Sequence, residues 1–380
     1  MITKLTKLFT EFFESERTGG FLLMGAAMLA VTLANSAFGP AFLHFWHTGL
    51  PGGSLEFWIN DGFMAVFFLL VGLEIERELY IGELSDRSNA VVPLAAALGG
   101  MLLPAGIYLI FNAGHPSQHG FGVPMATDIA FALGILSLVG SRVPVSIKVF
   151  LTALAIIDDL GAILVIALFY SDRFSWMWFG ASAAIFGVML LLNRFKIKAL
   201  TPYLLLGAGL WYALHHAGIH ATIAGVLTAF AIPFGDGGKR SSSYILQHFL
   251  HKPVAFFIMP VFALANAGLV LEPGWAQGLA TPIGLGVLSG LLLGKPFGVL
   301  LGVWLGRRFA GGESAKNVSW MHYLGAGLLA GIGFTMSIFI TLLAFDSAQE
   351  ITLAKTAIFA ASLAAGLAGF VVLKLAPGRE

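Results

Sequence analysis

The sequence has no cysteine, and only 11% of its 380 residues carry charge. The first absence removes disulfides, thiolate zinc sites, iron–sulfur clusters and cysteine nucleophiles together. The second removes the water-soluble globule, whose composition runs to about 25% charged residues. Neither sign of charge dominates: 21 basic and 20 acidic residues leave a formal +1. There is therefore no basic field for nucleic acid and no acidic tail, and nucleic acid is not an expected partner. The opening residues are not expected to act as a signal peptide, because Lys7, Glu11, Glu14 and Glu16 interrupt their apolar residues before any hydrophobic run begins. Carboxylates, histidine, lysine, hydroxyls and backbone remain to carry the chemistry, and no cofactor is implied.

What is present is apolar length. Hydrophobic residues make up 58% of the chain, and the mean hydropathy is +0.87. Stretches near the ~20 residues that a hydrocarbon core demands recur near 20–36, 58–77, 90–111, 121–140, 147–170, 176–193, 200–214, 219–234, 253–271, 282–306, 323–345 and 353–373. The expected fold is an all-α polytopic membrane protein of about 12 transmembrane helices, a single integral membrane domain over 1–380. All of the 21 basic residues except Arg173, Lys295 and Lys355 fall in alternate loops or at the termini. Short cytoplasmic loops are the ones enriched in Lys and Arg, so both termini are expected in the cytoplasm.

Residues 1–19 place Leu5, Leu8, Phe9, Phe12 and Phe13 at helical spacing opposite charged positions, as an amphipathic helix lying on the membrane surface does. The connection 37–57 holds a Leu50-Pro51-Gly52-Gly53 turn between apolar flanks and is expected to form an external hairpin. Such a hairpin would serve dimerisation or pack on its own subunit.

Ionisable groups inside a span cost at least ~2.5–3.5 kcal/mol each and mark ion pathways by default. The informative ones are Asp61 and Glu74 in the second span, Asp128 in the fourth, Asp158 and Asp159 in the fifth, and Lys295 in the tenth. Adjacent helical residues diverge by ~100°, so Asp158 and Asp159 bracket a wedge in which one dehydrated cation fits. Paired carboxylates out of water exchange protons as well as cations. The fourth span is interrupted by Pro124, Thr127 and Asp128, and the eleventh by Gly331, Gly333 and Thr335. Broken spans in the two halves of a chain point to a transporter of inverted-topology repeats with a site at the midplane. Such breaks leave opposed half-charges at mid-membrane, and Asp128 is expected to face the amino-terminal ends. Lys295 either faces the carboxyl-terminal ends or pairs with Asp158 or Asp159. Near the cytoplasmic end of the second span, Glu74, Arg77 and Glu78 share one helix face. His248 and His251 lie one turn apart before the ninth span, and together these five groups form a polar rim suited to collecting cations and sensing pH.

WINDGFMAVFFLLVGLEIERELYIGEL, MATDIAFALGILSLVGSRVP, ALAIIDDLGAI, GIHATIAGV, PVFALANAGL, GKPFG and GIGFTMSIFI together resemble the NhaA family of bacterial sodium/proton antiporters, in that family's order and over nearly the whole chain. The resemblance implies electrogenic exchange of cytoplasmic Na+ or Li+ for external H+ by alternating access, in the inner membrane, in support of pH and sodium homeostasis. It implies that Asp158 and Asp159 bind Na+ and protons. It assigns Thr127, Asp128, Gly331, Gly333 and Thr335 to the crossing of two extended breaks, with Lys295 balancing charge there or pairing with Asp158. Glu74, Arg77, Glu78, His248 and His251 become a cytoplasmic funnel and pH-response region, although Gln247 stands where some family members carry an acid. A homodimer through an outer hairpin at 41–57, in contact with membrane lipid, is implied as well. The rivals fit less: an intramembrane aspartyl protease needs its carboxylates on separate helices and a GxGD motif that is absent. A passive channel would use a carboxylate ring without needing broken repeats.

Overall fold

The computed structural model describes residues 7–170, 174–271, 273–309 and 318–377. The amphipathic face expected over 1–19 lies outside the described residues and side chains; the backbone is helical from Lys7 to Ala34. Eight described helices are long and apolar enough to cross a membrane, and a bent pair, Trp320–Ala330 with Phe334–Ala344, brings the number to nine. The chain is thus a multi-pass, all-α membrane protein. The other apolar stretches are shorter or less apolar helices: Thr18–Ala34, Leu200–Ala217 and Ile223–Ala231.

The segment 37–57 is only partly the expected hairpin. Gly39–Trp46 is a helix opened by Pro40 in its first turn, where the missing N–H of proline costs nothing. The hairpin proper is confined to two-residue strands, Gly49–Leu50 against Gly53–Ser54. Pro51 and Gly52 make its turn, and Gly52 takes φ +91, a conformation that only glycine adopts freely.

Three helices position the site. Val145–Phe169 runs uninterrupted with both central aspartates inside it. Pro282–Arg308 lies against Ala90–Asn112 with almost no side chain between: a Cβ on Gly298 would sit 2.1 Å from the Gly99 carbonyl oxygen. Small residues replace the hydrophobic effect as the means of joining helices in lipid, and this contact holds Lys295 at full burial. A π-helical turn at Gly290–Gly294 immediately precedes the lysine; others lie at Trp58–Phe63 and Val254–Ile258.

The helix Leu55–Tyr80 runs from the hairpin end of the molecule to the end carrying Arg77, called here the basic end. Ser242–Asn266 runs the opposite way beside it. Contacts join them at both ends. At the basic end Arg77 Nε donates to Gln247 Oε1 at 2.8 Å. At the hairpin end Asn60 and Asn266 exchange amide hydrogen bonds of 3.2 and 2.7 Å.

Candidate functional site

Helical hydrogen bonding stops twice in mid-molecule. In the first broken span, Pro116–Val139, the first half is a 3-10 helix ending at Met125. Gly120, Gly122 and Pro124 weaken an α-helix, and the tighter winding takes its place. Residues 126–128 are extended, and an α-helix resumes at Ile129. In the second broken span the break covers 331–333. The two breaks touch, with the Asp128 N–H donating to the Ile332 carbonyl at 2.6 Å.

Each break frees backbone groups that must be satisfied internally, because lipid offers nothing. Both amino-terminal ends go to one residue. Asp128 Oδ1 accepts from the Phe131 N–H at 3.0 Å, and Oδ2 accepts from the Thr335 N–H at 3.1 Å and from the Thr335 hydroxyl. The Phe334 N–H donates to Ser362 at 3.2 Å. At the carboxyl-terminal ends, Lys295 Nζ donates to the Met125 carbonyl, Ser337 to Val123 at 2.7 Å, and the Thr127 hydroxyl lies 2.9 Å from the Ala330 carbonyl. Gly331 and Gly333 allow the close approach rather than an unusual φ. A Cβ on Gly331 would meet the Leu291 carbonyl at 2.5 Å, and one on Gly333 would meet Ser337 Oγ at 2.0 Å.

Onto this framework the Val145–Phe169 helix projects its aspartates in different directions. Asp158 Oδ2 is 2.6 Å from Lys295 Nζ and 2.7 Å from the Thr127 hydroxyl. Lys295 therefore meets a carboxylate and a helix-end carbonyl at once, and the two placements left open by sequence coexist. Asp159 points instead into a narrow cleft with only about 30 Å³ of room for water-sized occupants. The cleft runs from Glu74 and Val254 at the basic end inward to Asp128 and Asp159, past Phe67, Met259 and Met336. Asp158 Oδ1 and Asp159 Oδ1 are buried and accept no hydrogen bond among the described residues. Buried acceptors are normally partnered, and a proton or a hard, oxygen-preferring cation is the kind of partner that two such oxygens can take.

The five rim residues divide. His251 Nδ1 stands 3.4 Å from Glu74 Oε1 at the cleft mouth. Arg77 is committed to Gln247 and to the Gly237 carbonyl, at 3.0 Å, and stacks over Tyr244. Glu78 is half-buried, whereas His248 is exposed and stacks on Tyr244 away from the cleft. Sequence reasoning had not singled out Ser337, Ser362, Asn60 or Asn266. The serines gave no signal, since hydroxyls are common in membrane helices. The two asparagines did, as amides at membrane depth within WINDG and ANAG.

Residues 10–373 match the sequence family described as Na+/H+ antiporter 1. A curated Na+/H+ antiporter NhaA from Flavobacterium psychrophilum is 53% identical over 371 residues, 98% of this chain and 97% of the relative. One from Dechloromonas aromatica is 54% identical over 375 residues, 98% and 96%. Among solved structures, a sodium proton antiporter from Methanocaldococcus jannaschii at pH 8 superposes with a TM-score of 0.57 at 14% identity, covering 97% of this chain and all of that one. That likeness concerns the fold alone.

Proposed function

The chain belongs to the NhaA family of Na+/H+ antiporters, and from that premise we propose that Asp158 and Asp159 carry sodium ion and protons alternately across the membrane. The protein exchanges Na+ for H+. The observation that carries the site assignment is the asymmetry of the pair: Asp159 offers an unpartnered oxygen at the inner end of a cleft, while Asp158 beside it is held by Lys295 and Thr127.

A cation arriving along the cleft meets Asp159 first and recruits Asp158 Oδ1. Full coordination asks Asp158 Oδ2 to leave Lys295, whose ammonium retains the Met125 carbonyl. The deprotonated pair holds sodium, and proton uptake displaces it. The carrier reorients when loaded with cation or with protons. Exchange of two protons for one cation moves one net charge per cycle, so a potential negative inside drives sodium outward and the exchange is electrogenic. Lithium, a smaller hard cation with the same preference for oxygen, shares the site.

The basic end is the cytoplasmic one on the charge pattern, with both termini on that side of a bacterial inner membrane spanned by 12 segments in inverted repeats. Glu74 and His251 at the cleft mouth, with Arg77, Glu78 and His248 around them, make the entry funnel responsive to pH. The hairpin segment 41–57 faces outside and joins two copies in a lipid-embedded homodimer, and the exchange serves pH and sodium homeostasis.

The test is proton movement in sealed proteoliposomes on addition of sodium, lithium or potassium. Sodium and lithium should dissipate an imposed pH gradient, potassium should not, and Asp159→Asn should lose the response while folding normally. Each pH unit of acidification should weaken apparent sodium affinity roughly tenfold per competing proton. A gradient indifferent to sodium, or sodium current without counter-moving protons, overturns the reading.

A further inference from the structure

A 3-10 helix rarely runs beyond three or four residues, because its hydrogen bonds are poorly aligned, yet Pro116–Met125 sustains that winding over 10 residues. Its support comes from outside. Tyr108 Oη donates to the Ser117 carbonyl at 2.8 Å, and the Ser117 hydroxyl donates to Asn112 Oδ1 at 2.8 Å. From another helix, Tyr170 Oη donates to the His119 carbonyl at 2.7 Å and accepts from the Gly122 N–H at 3.2 Å. Tyr108 and Asn112 belong to Ala90–Asn112, whereas Tyr170 closes the helix Val145–Phe169 that carries Asp158 and Asp159. Two glycines of the winding make room for the hydroxyls. A Cβ on Gly120 would collide with Tyr108 Oη, and one on Gly122 with Tyr170 Oη. Asn112 Nδ2 also donates to the carbonyl of Pro282 at 2.9 Å, the first residue of the span that bears Lys295. The aspartate-bearing and lysine-bearing spans are thus both tied to this winding, through Tyr170 and through Asn112.

The winding sets a length. Ten residues of 3-10 helix reach about 20 Å, whereas the same residues wound as an α-helix reach about 15 Å. The far end of this reach is the Met125 carbonyl, which meets Lys295. We infer that Tyr108 and Tyr170 are positioning residues for the exchange: their hydroxyls hold the 3-10 winding, and the winding holds the Met125 carbonyl against Lys295. This rests on the transport reading above, in which Asp158 leaves Lys295 for the arriving cation. At that moment the Met125 carbonyl is the acceptor that the buried ammonium keeps. A buried charge stripped of its partner is strongly unfavourable, so with the carbonyl displaced Lys295 gives up Asp158 less readily and sodium binds more weakly. The two tyrosines therefore act on sodium affinity before they act on maximal rate.

The test is sodium-dependent proton movement in proteoliposomes, read both as the sodium concentration giving half-maximal rate and as the maximal rate. Tyr170→Phe deletes one hydroxyl and keeps the ring. It should raise the half-maximal sodium concentration at least threefold while the maximal rate changes less than twofold, and Tyr108→Phe, acting from a different helix, should do the same. Tyr203→Phe is the control. It removes a hydroxyl that donates to the Ile197 carbonyl at 3.0 Å, away from both breaks, and should leave both quantities as in the wild type. Sodium also raises the thermal unfolding midpoint of whatever binds it, so in detergent the two tyrosine variants should need at least threefold more sodium for the same rise. An unchanged half-maximal sodium concentration in the tyrosine variants, a fall in maximal rate alone, or an equal rise in Tyr203→Phe overturns the positioning role. Either tyrosine variant decides the matter if the other fails to elute as a single species in detergent. Absence of sodium-driven exchange in the wild type would instead overturn the transport reading, so the two failures are distinct.

Discussion

At the first break the chain caps itself. Asp128 is the residue before the resumed helix, and its Oδ1 takes the Phe131 N–H in the manner of an N-cap. At the second break the corresponding residue is Gly333, which has no side chain to offer. That helix borrows its cap from Asp128 Oδ2 and a further acceptor from Ser362. The carboxyl-terminal ends differ likewise: Met125 is met by a lysine from a third helix, Ala330 by the Thr127 hydroxyl of the first break. The two spans repeat a local pattern, Thr127 and Phe131 against Thr335 and Phe339, yet one brings the charge and the other brings the space. Two copies of Asp128 would crowd two anions between helix ends whose partial charges amount to about one elementary unit together. One acid and one glycine let the breaks approach closely enough for a single carboxylate to serve both.

The largest effect on the two breaks is expected at Asp128. Asp128→Ala removes the acceptor shared by both amino-terminal ends, leaving buried donors that cost about 1–3 kcal/mol each; a loss of about 2–4 kcal/mol and abolished exchange are expected. Thermal unfolding in detergent and proteoliposome exchange read the two effects. Thr127→Val is expected to act on one side only. It strips a hydroxyl from Asp158 and from the Ala330 carbonyl, at about 1 kcal/mol, and a severalfold change in apparent sodium affinity should accompany it in a titration of exchange rate. Thr335→Val should be the mildest at about 0.5–1.5 kcal/mol, since the backbone N–H still reaches Asp128. In the Asp128→Ala background it should have almost no further effect, and additivity in that double-mutant cycle would show that the second break does not depend on the acid of the first.

Much of the site was legible because charge is costly in lipid. Asp128, Asp158, Asp159 and Lys295 stood out individually, and all four lie buried within one region. The five rim residues were grouped by spacing along two helices, and spacing could not say that Arg77 would turn to Gln247 or that His248 would face away from the cleft. The Pro-Gly turn joins two-residue strands at 49–50 and 53–54, whereas helical hydrogen bonding prevails over residues 39–46.

Sequence alone determined that this chain lives in a membrane, that it is helical, and which few ionisable groups it buries, for a physical reason that acts residue by residue: each apolar run and each misplaced charge has its own transfer free energy. Only the tertiary structure decided which oxygen of which aspartate is occupied and which is free, and which helix end each polar group satisfies. Those outcomes depend on contacts between positions 28 to 214 residues apart, and no local propensity records them. Backbone carbonyls at Met125 and Ala330 complete the site, and every residue has one; what selects these two is where the helices stop in three dimensions.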